Sequence, residues 1–355
     1  MAVSTTALNY SEYALLADVP QRNREAALSF IKYGSVLTDI ATKTENTLES
    51  NGMRYLGFTN TPGWVNINEA PSATKNVPSP WAEQKYMAAF NVEVSKVYAG
   101  AKGSGGLAAL TNKMLDPAVM AHVFDLNYKF FNNRRMAVTG STTDGTADYN
   151  SKCFNGLRYR LSAAGRSQYA IPSECKITSS SADLTSANMN STSVMKVYRA
   201  MLDALEIVGA PDGENCIFYA NQNVWSGLES SPLVTTHSLF GDDTDMFGNK
   251  VLTLRNAKIR RAGRAVPNTA GTQAQILPNT EDSTGELIGS AGYTSIFLVK
   301  SGTDSFCFNQ FKAPGADDSR QAEDGVTWLT TWWNLYGLEQ QNNRSIAQIY
   351  GITAA

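Results

Sequence analysis

Charge is scarce in this chain of 355 residues. Asp, Glu, Lys and Arg make up 17% of it and the net charge is −2, against about 25% charged residues in a typical soluble domain. A total so close to neutral excludes the global basic field with which non-specific binders hold a nucleic-acid backbone. Histidine is almost missing: His122 and His237 are the only two. They leave few general bases, and no Ser, His and Asp set can be assigned. The four cysteines (Cys153, Cys175, Cys216, Cys307) are far apart and include no Cys-x-x-Cys pair. No zinc set reads from that spacing, and four separate, mostly buried, reduced thiols are expected. No apolar run approaches the ~18 residues of a transmembrane helix. The stretch from Met1 to Tyr10 lacks the cationic and apolar blocks of a secretory signal. The chain therefore reads as cytosolic where it is made, with no membrane partner.

Apolar residues make up 43% of the chain, enough for a sizeable core, and the length suits two domains. Asn, Ser and Thr fill the polar positions. Because Lys, Glu and Asp are depleted at the cores of protein interfaces, low charge without high hydrophobicity hints at a surface lying against other subunits.

The first 50 residues hold one amphipathic stretch, about Arg22 to Ala41, with Ala26, Ala27, Phe30, Ile31 and Leu37 near helical spacing. It reads as an arm that packs on something else. Met53 to Phe58 and Lys85 to Tyr98 read as two strands. In the second, Phe90, Val92 and Val94 alternate with Asn91, Glu93 and Ser95, the period of a half-buried strand. Between them lie four prolines, Trp64 and Trp81. So long a connection is unusual inside a compact domain, and an isolated hairpin is marginal in water. It is expected to rest on a neighbouring molecule. Further on, Asp116-Pro117 reads as a helix start, followed by apolar residues at helical spacing to Phe131. A second helix spans Ser193 to Val208, Cys216 to Tyr219 is a buried strand, and a helix follows near Asn223. Strands are expected at 250–254, 274–277, 295–300, 306–308 and 326–336, with 140–190 rich in loops. The mixture is α+β, without regular βαβ alternation.

Three motifs hint at chemistry. Gly103-Ser-Gly-Gly-Leu-Ala108 fits a dinucleotide-binding turn, with Asp125 as ribose acid. Its preceding strand ends too early, however, so a flexible hinge is the expected role. Gly241 to Gly248 carries three carboxylates, but Phe247 stands where a calcium loop needs Asp or Asn, which leaves a solvated loop. His122 reads as packed or interfacial. No catalytic, cofactor or metal residue is therefore named. Two basic clusters stand out: Arg158, Arg160 and Arg166, then Arg255, Lys258, Arg260, Arg261 and Arg264. They could pair with carboxylates of a neighbouring subunit or, second in order, meet DNA without sequence readout.

The order of parts resembles the major capsid proteins of tailed bacteriophages, with the Hong Kong 97-type fold. Phe130-Phe131-Asn132 resembles the end of that family's spine helix, with Asn133-Arg134 in place of Gly-Asp. Phe154-Asn155-Gly156-Leu157 resembles its Phe-Asp-Gly-Leu segment, Ser295 to Val299 its penultimate strand, and Trp332 to Leu338 with Ile346 to Ile352 its closing strands. The resemblance implies an arm (1–50), an extended two-stranded loop (51–98), a peripheral domain with the spine helix (99–190 and 310–340) and an axial domain (191–309 and 341–355). It implies pentamers and hexamers of an icosahedral shell around double-stranded DNA, built in the host bacterial cytoplasm and residing in the virion. It also implies a separate scaffolding protein and a portal. Contacts between subunits would fall to Trp64, Trp81 and Phe90 on the loop and to Phe30 and Ile31 on the arm. An encapsulin-like bacterial compartment is the alternative, and a nucleotide-binding enzyme using the Gly103 turn comes last.

Overall fold

A computed structural model describes residues 35–54, 79–95, 106–135, 150–185, 191–231, 240–244, 250–265, 272–287, 292–311, 315–316, 320–321 and 327–354. Phe30, Ile31, Trp64 and Gly103 lie outside these residues. Trp81 and Phe90 are placed only as strand positions. No described helix is long and apolar enough to cross a membrane.

The longest helix, the spine, is α2 (Gly106–Asn132), 27 residues or about 40 Å at 1.5 Å per residue. Val119, Val123, Leu126 and Phe130 recur at three- and four-residue spacing and are buried, which fixes the face it turns to the core. The start expected at Asp116-Pro117 is overturned: the helix begins ten residues earlier and Pro117 lies inside it. A proline there removes one backbone hydrogen bond. The buried turns that follow outweigh the loss, a balance local sequence signals do not register.

The spine lies against a six-stranded sheet assembled on β14 (Thr327–Gln340). One side of β14 pairs with β4 (Tyr86–Ser95) over ten antiparallel positions, from Tyr86↔Tyr336 to Ser95↔Thr327. The other side pairs with β11 (Phe306–Gln310), β12 (Gly315–Ala316) and β13 (Arg320–Gln321), and β1 (Thr42–Thr44) joins β11 in parallel. The short helix α1 (Ser35–Asp39) precedes β1.

The two-stranded loop is therefore built differently from the sequence reading. The expected second strand is β4, and it belongs to the six-stranded sheet. The hairpin is β2 (Glu49–Arg54) with β3 (Ser79–Gln84), and β3 contains Pro80, which the alternation pattern had left in the connection. Proline is tolerated where a strand has no further neighbour to hydrogen-bond, and this sheet has only two strands.

The second sheet has seven strands, ordered β5 (Lys176–Asp183), β15 (Ile346–Thr353), β10 (Tyr293–Lys300), β6 (Cys216–Ala220), β9 (Ala257–Arg261), β8 (Lys250–Leu254) and β7 (Gly241–Thr244). All five residues of β6 are buried, as befits a central strand covered on both faces. Helix α5 (Ser191–Ile207) packs on β5 and β15, and α6 (Gln222–Ser230) on β9. β5 is an edge strand of this sheet, and β11 sits in the other. β5 is half exposed and irregular, with Ser180 and Ser181 at φ 54° and 53°, so it lacks an apolar period. Residues 274–277 form no strand; Gln275 makes a single bridge to Arg264.

Candidate functional site

The sequence motifs of the resemblance meet at the C-terminal end of the spine, between the two sheets. Phe130 packs against Phe131 (ring centroids 5.0 Å), Phe308 (5.3 Å), Phe306 (6.1 Å) and Tyr219 (6.3 Å), and so touches β11 and β6 together. Asn133, fully buried, closes the helix. Its Nδ2 donates to the Phe154 carbonyl (2.6 Å) and its own carbonyl accepts from the Gly156 amide (2.8 Å). Gly156 comes so close that a Cβ there would stand 2.6 Å from the Lys129 carbonyl and 2.9 Å from that of Phe130. The departure from Gly-Asp at Asn133-Arg134 thus gives a side-chain clasp on the segment containing Gly156. That segment continues into α3 (Leu157–Leu161) and α4 (Ala163–Tyr169).

Helix α3 supplies two arginines whose sequence reading is corrected. Arg158 is 6% exposed and pairs with Glu281 at 2.7 Å. It also donates to Asn132 Oδ1 (3.1 Å) and to the Gly285 carbonyl (3.2 Å), while Glu281 accepts from Ser295. Burial pushes the Glu281 carboxyl up, against the pull of Arg158. Arg160 is 1% exposed and holds Glu83 of β3 in a two-pronged pair (3.0 and 2.8 Å). Neither guanidinium offers charge to DNA or to a neighbouring subunit, because each is buried and neutralised within its own chain. Glu83 and Glu281 went unnoticed in the sequence: a lone carboxylate carries no pattern that marks it as buried.

The second basic cluster divides. Arg260 pairs with Asp39 of α1 at 3.0 Å and is half-buried. Arg255, Lys258, Arg261 and Arg264 are exposed. Arg255 donates to the Pro211 carbonyl, Arg261 lies over the Trp225 ring (4.9 Å) and Arg264 donates to the Gln273 carbonyl (2.9 Å).

Among the other candidates, Asp125 lies within the uninterrupted spine helix. It therefore stands in mid-helix and not at the end of a strand. Asp242 and Asp243 sit in β7, where successive side chains point to opposite faces and cannot converge on one ion. An open cavity of about 570 Å³ on the seven-stranded side is lined by Glu174, Ile177, Asp203, Glu206, Ile207 and Arg344, with Arg344 paired to Glu174. Cys175, Cys216 and Cys307 are buried, Cys153 is partly so, and all four are free thiols. Burial pushes Cys153 and Cys175 up to about 12 and Cys216 up to about 11, which keeps these thiols protonated and unreactive at neutral pH.

His122 packs on Trp332 (4.9 Å) and Tyr336 (6.0 Å) beneath the six-stranded sheet. Burial lowers its pKa from 6.5 to about 4. The folded value lies below the unfolded one, so this contribution to stability is complete above pH 6.5 and is lost as pH falls towards 4. The interval corresponds to about 3 kcal/mol. Chemical denaturation at pH 7 and pH 4.5 should show a smaller acid loss in a His122→Leu variant than in the parent chain. Equal losses would mean that protonation of His122 does not drive the change.

No family model matches the chain, and no curated protein matches its sequence. Solved structures do match. The capsid of an empty GTA particle is 11% identical, with a TM-score of 0.50 over 96% of this chain and 93% of that one. The capsid of cyanophage P-SCSP1u is 8% identical, with a TM-score of 0.49 over 89% and 87%. The holo-SrpI encapsulin complex from Synechococcus elongatus is 9% identical, with a TM-score of 0.43 over 88% and 85%. With a likeness that runs along 96% of the chain, the protein has an α+β fold of the Hong Kong 97 capsid type.

Proposed function

We propose that the chain is a major capsid protein, a shell-building subunit that closes into pentamers and hexamers of an icosahedral particle around double-stranded DNA. The observation that carries this reading is the single fold shared along 96% of this chain and 93% of the GTA capsid subunit. The scarcity of charge supports it, because interface cores are poor in Lys, Glu and Asp. So do Leu48 and Met87, 66% and 64% exposed where the chain enters and leaves the hairpin. In this reading Trp64, Trp81 and Phe90 on the loop, with Phe30 and Ile31 on the arm, make contacts to neighbouring subunits. Each contact can be modest because one subunit makes several at once. The exposed cations Arg255, Lys258 and Arg261 face neighbouring subunits or DNA. A separate scaffolding protein and a portal complete the assembly, which forms in the bacterial cytoplasm and ends in the virion.

Negative-stain electron microscopy of the recombinant protein, alone and with a candidate scaffold, tests the reading. Hollow shells, or rings and tubes of capsomers, are expected, and deletion of 60–82 should abolish them. A persistent monomer under both conditions would overturn the proposal.

A further inference from the structure

We infer that Glu83 and Arg160 form a latch that fixes the root of the β2–β3 hairpin to the body of the subunit before any neighbour touches it. The hairpin has only two strands, and a pair of strands without further support is marginal in water. Something outside it must hold it in one direction. Arg160 does so from α3. Its Nη1 and Nη2 donate to the two carboxylate oxygens of Glu83 (3.0 and 2.8 Å), the fork geometry that makes such pairs directional.

The remaining donors of the guanidinium are all committed to the body. Nε donates to the Asn155 carbonyl (3.0 Å), Nη1 to Gln340 Oε1 (3.3 Å) and Nη2 to the Leu338 carbonyl (3.3 Å). Its plane lies over the Tyr169 ring (4.2 Å from the centroid). All five N–H donors of the side chain therefore have acceptors. They tie β3 to β14 and to the segment clasped at the end of the spine, and the ring contact adds α4. Arg160 is a positioning residue: it cannot swing out with the hairpin, because its other bonds belong to the body. If the hairpin leaves, the cation stays behind, buried and without its counter-charge. That cost opposes departure. A second tie lies one residue beyond β3, where the buried Lys85 donates from Nζ to the Glu45 carbonyl (2.7 Å) and from its backbone amide to the Leu48 carbonyl (2.9 Å). Lys85 belongs to the root itself, so it holds the hinge point while Glu83 sets the direction.

The use of this latch in a shell rests on the proposed function, but the latch itself is a property of the single subunit and is tested there. Hydrogen exchange on the unassembled full-length chain compares the parent with Glu83→Gln, which keeps the volume and removes the charge. Amide protection in 79–84 is expected to fall at least about ten-fold, with 106–132 and 327–340 unchanged. Should Glu83→Gln not fold, Glu83→Asp, one methylene shorter, is expected to show a smaller loss confined to the same residues. Unchanged protection in 79–84 would overturn the latch. So would an equal loss throughout the body, which would make the pair a general stabilising contact. Failure of the parent chain to form shells would instead overturn the proposed function and leave the exchange result standing.

Discussion

Replacing Phe130 with alanine is expected to lower the unfolding free energy by about 3–5 kcal/mol, the range for removing a large aromatic side chain from a packed core. The upper half of that range applies because Phe130 is fully buried among four other rings, and such ring pairs add roughly 0.5–1.5 kcal/mol each beyond the area they bury. The position is also where the spine touches a strand from each sheet, so the cavity would open between two layers and could not close by movement of one side chain. Urea unfolding measures the loss. Met87→Ala, at a position 64% exposed, serves as the comparison and should stay within about 0.5 kcal/mol of the parent. A loss below about 1.5 kcal/mol for Phe130→Ala would mean that the end of the spine does not carry the junction.

The second large effect is expected at the Arg158–Glu281 pair, and its sign depends on how many partners are removed. Glu281→Ala alone leaves a buried guanidinium without its counter-charge, and breaking a buried pair in this way costs about 3–5 kcal/mol. Asn132 and the Gly285 carbonyl still accept from Arg158, but neither carries charge. Removing both charges together, as in Arg158→Met with Glu281→Leu, should recover most of that loss, because the desolvation of two ions disappears along with their attraction. Recovery will fall short of complete: Ser295 loses its acceptor on Glu281 and Asn132 Oδ1 loses its donor on Arg158, so two buried polar groups lose part of their network. A double-mutant cycle reads the coupling directly. Additive losses would mean that the two residues act separately, with the pair giving no shared stabilisation.

Both sites show where sequence reasoning reached and where it stopped. The two phenylalanines at the end of the spine, Asn133 and the Gly156 segment were visible as fragments about twenty residues apart. Their contact was not, since nothing in either fragment states that a Cβ at residue 156 would strike the carbonyls of Lys129 and Phe130. Arg158 and Arg160 were read as surface charge because arginine is mostly exposed. Their burial follows from Glu281 and Glu83, which lie 123 and 77 positions away in the chain.

The strand β4 was legible from its alternation, with its start expected one residue before Tyr86. Which strand it pairs with was not. Alternation says that one face is buried, and it says nothing about the partner lying alongside. The same gap explains why the partner strand of the hairpin, β3, does not show in the alternation.

The sequence alone determined the α+β class, the apolar face of the spine, the buried strand from Cys216 to Tyr219 and the poverty of charge. These depend on local period and composition, which a chain carries whether or not it is folded. Only the tertiary structure decided that Pro117 stays inside a helix, that β14 unites five other strands, and that two arginines are interior anchors. Each of those outcomes depends on free energy gained from residues far away in the chain, through burial and paired charge, and such gains exist only once the distant segments have met.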